Sequence, residues 1–235
     1  MKKIKFYLSQ NLFHAANKPI REKSDVIELL LNTIPEILID ESVDKNLGFC
    51  EVIVDKMSRI VYTLQRDEII YKKFSFAFPF YLKENSKEGF SKWIICDNSG
   101  EYLNSQVISI LFILFNEGLF NENISVDIEP LEFYERILQA IKEIEAEIHI
   151  TEVLIWHFIR KLFLFEPGYI RYDFDDDVAR CNEITHPLHH LDFYFSSNAT
   201  MKIGVAKNNQ DFEKWKEDSF ENLLNVKSPC YYLKM

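Results

Sequence analysis

Side chains that could bind a metal ion or move a proton are concentrated between residues 170 and 192 of this 235-residue chain. The sequences IRYDFDDD and HPLHHLD supply eight of them: Asp173, Asp175, Asp176, Asp177, His186, His189, His190 and Asp192. The whole chain has only six histidines, so half of them lie in this stretch. Carboxylates and imidazoles together can bind Mg²⁺, Mn²⁺ or Zn²⁺, and imidazole can also act as a general acid or base.

Alternation of apolar and polar residues predicts which of these side chains share a face. Three strands are predicted, at 169–175, 188–195 and 201–205, and in each the apolar residues occupy every second position. Consecutive strands tend to pair, so if their apolar sides join one core, their polar sides also coincide. The common polar face would carry six residues: Arg171, Asp173, Asp175, His190, Asp192 and Lys202. His189 would then point to the apolar side, and His186 would lie extended before Pro187.

This face has a catalytic interpretation and two structural ones. In the first, all six residues are catalytic candidates, and a divalent metal is bound by four of them: Asp173, Asp175, His190 and Asp192. Arg171 or Lys202 would neutralise charge on a transferring phosphoryl group. The second interpretation is a solvated face whose opposite charges pair across strands, each pair worth well under ~1 kcal/mol. The third is a buried polar network that fixes the local fold.

Other residues with chemical potential give weaker signals. His157 lies between Trp156 and Phe158 on a predicted helix, which favours a hydrogen-bonded core or flanking residue. Cys181 is close in sequence to His186, like a nucleophilic pair, but such pairs are defined by spatial geometry and both residues fall in a predicted connection.

The order of predicted elements favours an α+β fold, with mixed or antiparallel sheets packed against a central helical layer. Predicted strands include 74–82, where Pro79 requires an edge or a bulge, and 92–96. The predicted helices are 25–34 ending at Pro35, 105–115, 130–148 with Asp127 as a cap, a helix capped by Thr151, and 211–224. We expect one domain over 1–235, and its weakest boundary, 116–123, would divide it into 1–115 and 124–235.

Composition excludes several classes of protein. A net charge of −10 without a basic stripe does not support general nucleic-acid binding, although a local active site for nucleic acid stays open. Only 6 glycines occur, and neither G-x-G-x-x-G nor G-x-x-x-x-G-K-[ST] is present. The four cysteines form no C-x-x-C motif. The longest apolar run, 107–115, is well short of the ~20 residues of a membrane helix, and no signal peptide is recognised, so we expect a cytoplasmic protein.

The last 70 residues resemble a bacterial family known only as a domain of unknown function. The similarity lies in the sequences RYDFD from Arg171, HPLHHL from His186, MKIGV from Met201 and YYL from Tyr231. Some members have Cys or Arg in the short strand where this chain has Lys202. The resemblance implies a bacterial cytosolic protein that is an accessory component of a defence or mobile-element locus, and it implies no catalytic residue.

Two functions therefore follow as expectations. The first is a binding or accessory protein within a protein complex, with a protein partner or self-association, because the chain has 20 Phe and 11 Tyr and no complete catalytic motif. The alternative is a metal-dependent, nuclease-like hydrolase that uses the Asp/His residues of the C-terminal sheet face, with a divalent metal as cofactor.

Overall fold

The structure is a computed structural model that describes residues 2–38, 46–55, 58–85, 92–121, 129–147, 149–175, 177, 179, 182, 184, 186–195, 201–206, 210 and 213. In chain order its elements are β1 (Lys2–Tyr7), α1 (Gln10–Asn17), α2 (Lys23–Leu38), β2 (Gly48–Val54), β3 (Arg59–Arg66), β4 (Ile69–Ala77), β5 (Tyr81–Glu84), β6 (Trp93–Cys96), α3 (Ser105–Asn116), α4 (Pro130–Glu143), α5 (Glu152–Leu164), β7 (Ile170–Phe174), β8 (His189–Phe193) and β9 (Met201–Ala206). The α+β fold class is confirmed. Among the described residues we find no helix with the length and apolar sequence needed to cross a bilayer.

The chain forms two compact units that are interleaved along the sequence. Unit 1 consists of Met1–Arg21, Ser42–Phe78 and Pro167–Met235, and unit 2 consists of Glu22–Glu41 and Pro79–Glu166. Each unit therefore joins stretches that are far apart in sequence, and a single sequence boundary does not separate them.

Unit 1 is built on a seven-stranded antiparallel sheet with the order β1-β2-β3-β4-β7-β8-β9. Neighbours in the sheet are also neighbours in sequence order, except that β4 pairs with β7 across the residues of unit 2. One face carries a buried cluster of Val61, Ile170, Tyr172 and Leu191. On the other face, Tyr62 stacks on Phe74, and α1 packs against β3.

The described residues of unit 2 form helices α2, α3, α4 and α5 and the antiparallel pair β5–β6. Helix α2 packs against β6 and α3, while α3, α4 and α5 contact one another. Helices α3 and α5 begin with side-chain caps: Asn104 accepts from the N–H of Val107 and Thr151 from that of Leu154, the latter as predicted. Asp127, the predicted cap of α4, lies outside the described residues.

Three predicted boundaries are wrong. Helix α2 does not end at Pro35 but continues to Leu38, because its many buried apolar residues outweigh one lost backbone hydrogen bond. The predicted strand 74–82 is broken around Pro79 into β4 and β5, which belong to different sheets. Helix α4 ends at Glu143 instead of reaching residue 148, and Glu145 adopts a positive φ of 48°. The predicted helix 211–224 lies, apart from Glu213, outside the described residues.

Candidate functional site

Antiparallel pairing of β7, β8 and β9 places the predicted residues side by side. Arg171 is opposite Asp192, and Asp192 is opposite Lys202. Asp173 is opposite His190. Side chains directly opposite on one face of a sheet lie close together, so one cluster contains five of the six predicted residues. We call Arg171, Asp173, His190, Asp192 and Lys202 the Asp/His cluster.

Arg171 connects the two carboxylates of the cluster. Its Nε donates to Oδ2 of Asp173 at 2.7 Å, and its Nη2 donates to Oδ2 of Asp192 at 2.5 Å. Burial acts to lower the pKa of Arg171, but the adjacent carboxylates of Asp173 and Asp192 raise it above its usual value. The guanidinium therefore stays charged and fixes one oxygen of each aspartate.

His190 has a defined orientation, and its burial favours the neutral imidazole. Its Nδ1 lies 3.0 Å from the carbonyl oxygen of Pro187, which can only accept, so Nδ1 carries the proton. Burial lowers the pKa of His190, which is only 2% exposed. Its Nε2 consequently presents a lone pair, 3.7 Å from Oδ2 of Asp173. A backbone carbonyl that orients the far nitrogen is the usual support of a metal-binding histidine.

Asp192 has an incompletely satisfied carboxylate. The residue is 3% exposed, and among the described residues its Oδ1 accepts no hydrogen bond. The Nζ atom of Lys202 is 3.3 Å away, which is close enough for an ion pair, but it donates no hydrogen bond to that oxygen. Buried polar atoms are normally hydrogen-bonded, so this oxygen needs an explanation.

One ligand atom each from Asp173, His190 and Asp192 lie within 4.8 Å of one another. Atoms bound to Mg²⁺ or Zn²⁺ at about 2.1 Å lie roughly 3–4 Å apart, so small side-chain movements would bring these three to a metal. The burial of His190 and Asp192 also shows that the interpretation as a solvated sheet face is wrong for these two residues.

Asp175, the sixth predicted residue, lies just beyond β7 and makes a different contact. Its Oδ2 is 2.8 Å from Nε2 of His186, and it is not one of the three grouped ligands. The rings of His186 and His190 have centroids 5.1 Å apart. Asp175 and His186 therefore form a second polar pair next to the Asp/His cluster.

His189 points to the apolar side, as predicted, where its Nδ1 is 2.9 Å from the hydroxyl of Tyr172.

A pocket of about 520 Å³ opens beside the cluster. Its lining includes residues of the C-terminal strands and others that the sequence did not indicate, namely Asn17, Pro19, Arg66, Asp67, Ile69, Tyr71 and Lys72.

Lys72 lies on β4, opposite Asp173 of β7. Its Nζ donates to the carbonyl oxygens of Ala16, Asn17 and Lys18 at the end of α1. Burial lowers the pKa of Lys72 to about 8. The only sequence signal for this position was the pair Lys72–Lys73 inside a strand that is otherwise mainly apolar.

The other candidates have separate environments. His157 contacts the buried carboxylate of Asp97, which confirms the expectation of a hydrogen-bonded residue. Asp176 and Cys181 lie outside the described residues, so the structure does not test the Cys181–His186 pair, which the sequence did not favour.

No protein-family model matches the sequence, and comparisons with curated proteins and with solved structures give no significant match. The resemblance of the last 70 residues to a family of unknown function therefore stays a prediction.

Proposed function

We propose that this protein is a metal-dependent hydrolase of nuclease-like type, with a divalent ion held by Asp173, His190 and Asp192. The observation that carries the proposal is the buried Oδ1 of Asp192, which accepts no hydrogen bond among the described residues while Nε2 of a neutral histidine lies nearby. Two carboxylates and an imidazole suit Mg²⁺, Mn²⁺ or Zn²⁺. The bound ion would supply a Lewis acid next to a pocket large enough for a small phosphate ester.

The cations of the cluster would have separate roles. Arg171 contacts only Oδ2 of each aspartate and so leaves the other oxygens to the metal. Lys202 is 40% exposed in its side chain and is an ion-pair partner of Asp192 that can turn toward solvent. If Asp192 held an ion through Oδ1, Lys202 would have to leave that oxygen, and its ammonium could then neutralise charge on a phosphoryl group in the pocket.

The test is thermal unfolding of chelator-treated protein with Mg²⁺, Mn²⁺ or Zn²⁺ at about 1 mM. At least one ion should raise Tm, and Asp173→Ala should abolish the increase. Asp67→Asn is the matched control, because Asp67 lines the same pocket but is not a grouped ligand. The ion that binds should also support hydrolysis of bis(p-nitrophenyl) phosphate, and Asp173→Ala should remove this activity.

Lys202→Met distinguishes a metal site from a purely structural ion network. If Lys202 competes with the ion, the variant should bind the metal several-fold more tightly. If none of the three ions raises Tm in the original chain or in Lys202→Met, the hydrolase proposal is wrong.

A second candidate function, an accessory protein within a complex, is favoured by a separate observation in unit 2. Six large apolar side chains on α4 and α5 are each at least 42% exposed: Leu131, Tyr134, Leu138, Val153, Trp156 and Leu164. We propose on this basis that the protein also binds a protein partner. A bacterial cytosolic location in a defence or mobile-element locus is part of the same proposal, and co-purification from the host would test it.

A further inference from the structure

The hairpin of β3 and β4 supplies a part of the pocket that the proposed hydrolysis does not use. Arg66, Ile69 and Tyr71 line the pocket from this hairpin. Its turn consists of Asp67 and Glu68, whose φ angles of 50° and 66° are typical of a tight two-residue hairpin turn. Arg66 is directly opposite Ile69 across this turn, so both residues have a fixed position at the end of the hairpin.

A β-bulge turns Tyr71 toward the pocket. Leu64 pairs with Lys72 and Gln65 pairs with Ile70, so Tyr71 is an extra residue in β4. A bulge re-aims a side chain that regular alternation would send to the other face of the sheet. Tyr71 and its neighbour Lys72 consequently both line the pocket, which adjacent residues of a regular strand would not do.

Arg66 and Tyr71 form a stacked cation–aromatic pair in this part of the pocket. The guanidinium carbon of Arg66 lies 5.3 Å from the ring centroid of Tyr71. The hydroxyl of Tyr71 donates to Oδ1 of Asn17 at 3.2 Å, which fixes the ring. Arg66 is exposed and forms no ion pair with a described residue, so its guanidinium is available to a ligand.

The charge of the pocket differs from that of the chain. Its described lining residues include four basic side chains (Arg66, Lys72, Arg171 and Lys202) and three acidic ones (Asp67, Asp173 and Asp175). Buried Asp192, which pairs with two of these cations, brings the balance to zero, whereas the whole chain carries −10. A divalent ion at the Asp/His cluster would make the pocket positive, so it could attract a phosphodiester that most of the surface repels.

We propose that the substrate is a phosphodiester of a nucleoside whose base is unpaired, and that this base stacks on the Arg66–Tyr71 pair. Bases stack both on aromatic rings and on the plane of a guanidinium group. The inference deepens the proposed hydrolase and rests on it for the position of the phosphate, which is beside Asp173.

The spacing of the two parts of the pocket suits one nucleotide. Lys72 is opposite Asp173 on the neighbouring strand and is adjacent to Tyr71 in sequence. Sheet geometry therefore places the Cα atoms of Tyr71 and Asp173 roughly 6 Å apart. A single sugar joins the base of a nucleotide to its phosphate, so one nucleotide can reach both residues, and a pocket of about 520 Å³ is of the size that holds such a ligand.

Two other substrates fit the pocket less well. A double helix keeps its bases stacked inside and offers none to Arg66 and Tyr71, and its binding depends on a basic stripe that this sequence lacks. A phosphate ester without a base would use the cations but would leave Tyr71 and Ile69, which is 57% exposed, without a contact.

The experiment uses the full chain and three fluorescein-labelled DNA probes of about 15 nucleotides, with fluorescence anisotropy as the readout. The probes are single-stranded oligothymidylate, an abasic strand of the same length, and oligothymidylate paired with oligoadenylate. Binding is measured in chelator and with Mg²⁺, Mn²⁺ or Zn²⁺ at about 1 mM. In at least one of these conditions the thymidine strand should bind about tenfold or more tightly than each of the other two probes.

Arg66→Lys separates stacking from charge, because lysine keeps the positive charge but has no planar group. Its preference for the thymidine strand over the abasic strand should fall below about threefold. Tyr71→Leu should have the same effect, and if that variant does not fold, the exposed Arg66 still provides the test. Phe49→Leu is the matched control, because Phe49 is also half-buried and contacts a cation, Lys5 at 3.6 Å, but does not line the pocket. It should keep the preference of the original chain within about twofold.

Three results would overturn the proposal. They are equal binding of the thymidine and abasic strands in every condition, duplex binding as tight as that of the single strand, and an unchanged preference in Arg66→Lys. Thermal unfolding with metal distinguishes this failure from that of the hydrolase. A rise in Tm without a preference for bases would remove the base subsite and keep the hydrolase, whereas a preference without a rise in Tm would keep the base subsite and remove the hydrolase.

Discussion

Each unit of the molecule contains a buried aspartate near a histidine, and the two aspartates differ in how fully they are hydrogen-bonded. In unit 2, Oδ1 of Asp97 accepts from the N–H groups of Ser99 and Glu101 at 2.9 and 3.0 Å, and Oδ2 contacts Nε2 of His157. In unit 1, Oδ2 of Asp192 accepts from Arg171, but Oδ1 accepts no hydrogen bond from the described residues. A complete set of partners indicates a structural role, whereas Oδ1 of Asp192 has only the ion pair with Lys202 and no hydrogen bond from the described residues.

The origin of the partners explains this difference. Asp97 is satisfied largely by its own turn, residues 97–101, so a short local sequence completes its hydrogen bonds. The partners of Asp192 come from β7 and β9, and its position depends on the register of three strands. A site assembled from several strands can retain an unsatisfied group if a ligand stabilises it.

Removal of Arg171 should produce the largest effect, because it tests whether the guanidinium balances the buried carboxylate of Asp192 and the partly buried one of Asp173. Arg171→Met should lower the free energy of unfolding by about 3–5 kcal/mol, as expected when one partner of a buried ion pair is lost. Urea unfolding provides the measurement. Arg136→Met is the control: its pair with Glu132 is exposed, so it should cost less than about 1 kcal/mol. Equal losses in both variants would contradict the role given to Arg171.

Exchange of each aspartate for asparagine should separate the two sites by their response to metal. Asp192→Asn should lose the stabilisation by the ion that binds, which is about 2.7 kcal/mol at a hundredfold excess over Kd. Asp97→Asn should lower stability without metal and keep the full increment with it. Thermal unfolding of both variants with and without the ion measures this, and a metal increment lost in Asp97→Asn but kept in Asp192→Asn would reverse the assignment.

The sequence predicted much of the site because its central residues lie on strands that follow one another. Alternation in β7, β8 and β9, with sequential pairing, was enough to group Arg171, Asp173 and Asp192. Burial of this face was not predictable, since it depends on distant parts of the chain. Strands β4 and β7 are separated in sequence by residues 79–166, and their pairing brings Lys72 next to Asp173. No local pattern specifies such a contact.

Fold class was predictable from the order of elements, but some of their ends were not. The local rules for proline predicted that the helix ends at Pro35. They also predicted one strand over 74–82, with an edge position or a bulge at Pro79. In the structure, α2 continues past Pro35 to Leu38 because its apolar residues are packed in the core. The residues around Pro79 connect β4 of the seven-stranded sheet to β5 of the two-stranded sheet. Both errors arise because a proline removes one hydrogen bond, and the surroundings decide whether the element tolerates that loss.

The smallest effect we predict concerns the pH dependence of the Asp97 site. Burial acts to raise the pKa of Asp97, but hydrogen bonds from His157, Ser99 and Glu101 outweigh it and hold the pKa below its usual value. A carboxyl group with a lowered pKa in the folded state stabilises the protein above its unfolded pKa, and this contribution is lost as the pH falls through the folded pKa. The stability difference between the original chain and Asp97→Asn should therefore be about 1–3 kcal/mol at pH 7 and should shrink below about pH 4.

Urea unfolding between pH 2 and 7 would measure that difference. Ser99→Ala removes one donor and leaves two backbone donors and His157, so its loss at pH 7 should be smaller than that of Asp97→Asn. A difference that stays constant down to pH 2 would mean that the carboxylate charge of Asp97 contributes nothing to the fold. The contrast with Asp192 would then rest on the metal response alone, since Asp97 would no longer be an example of a buried carboxylate stabilised by a complete set of hydrogen bonds.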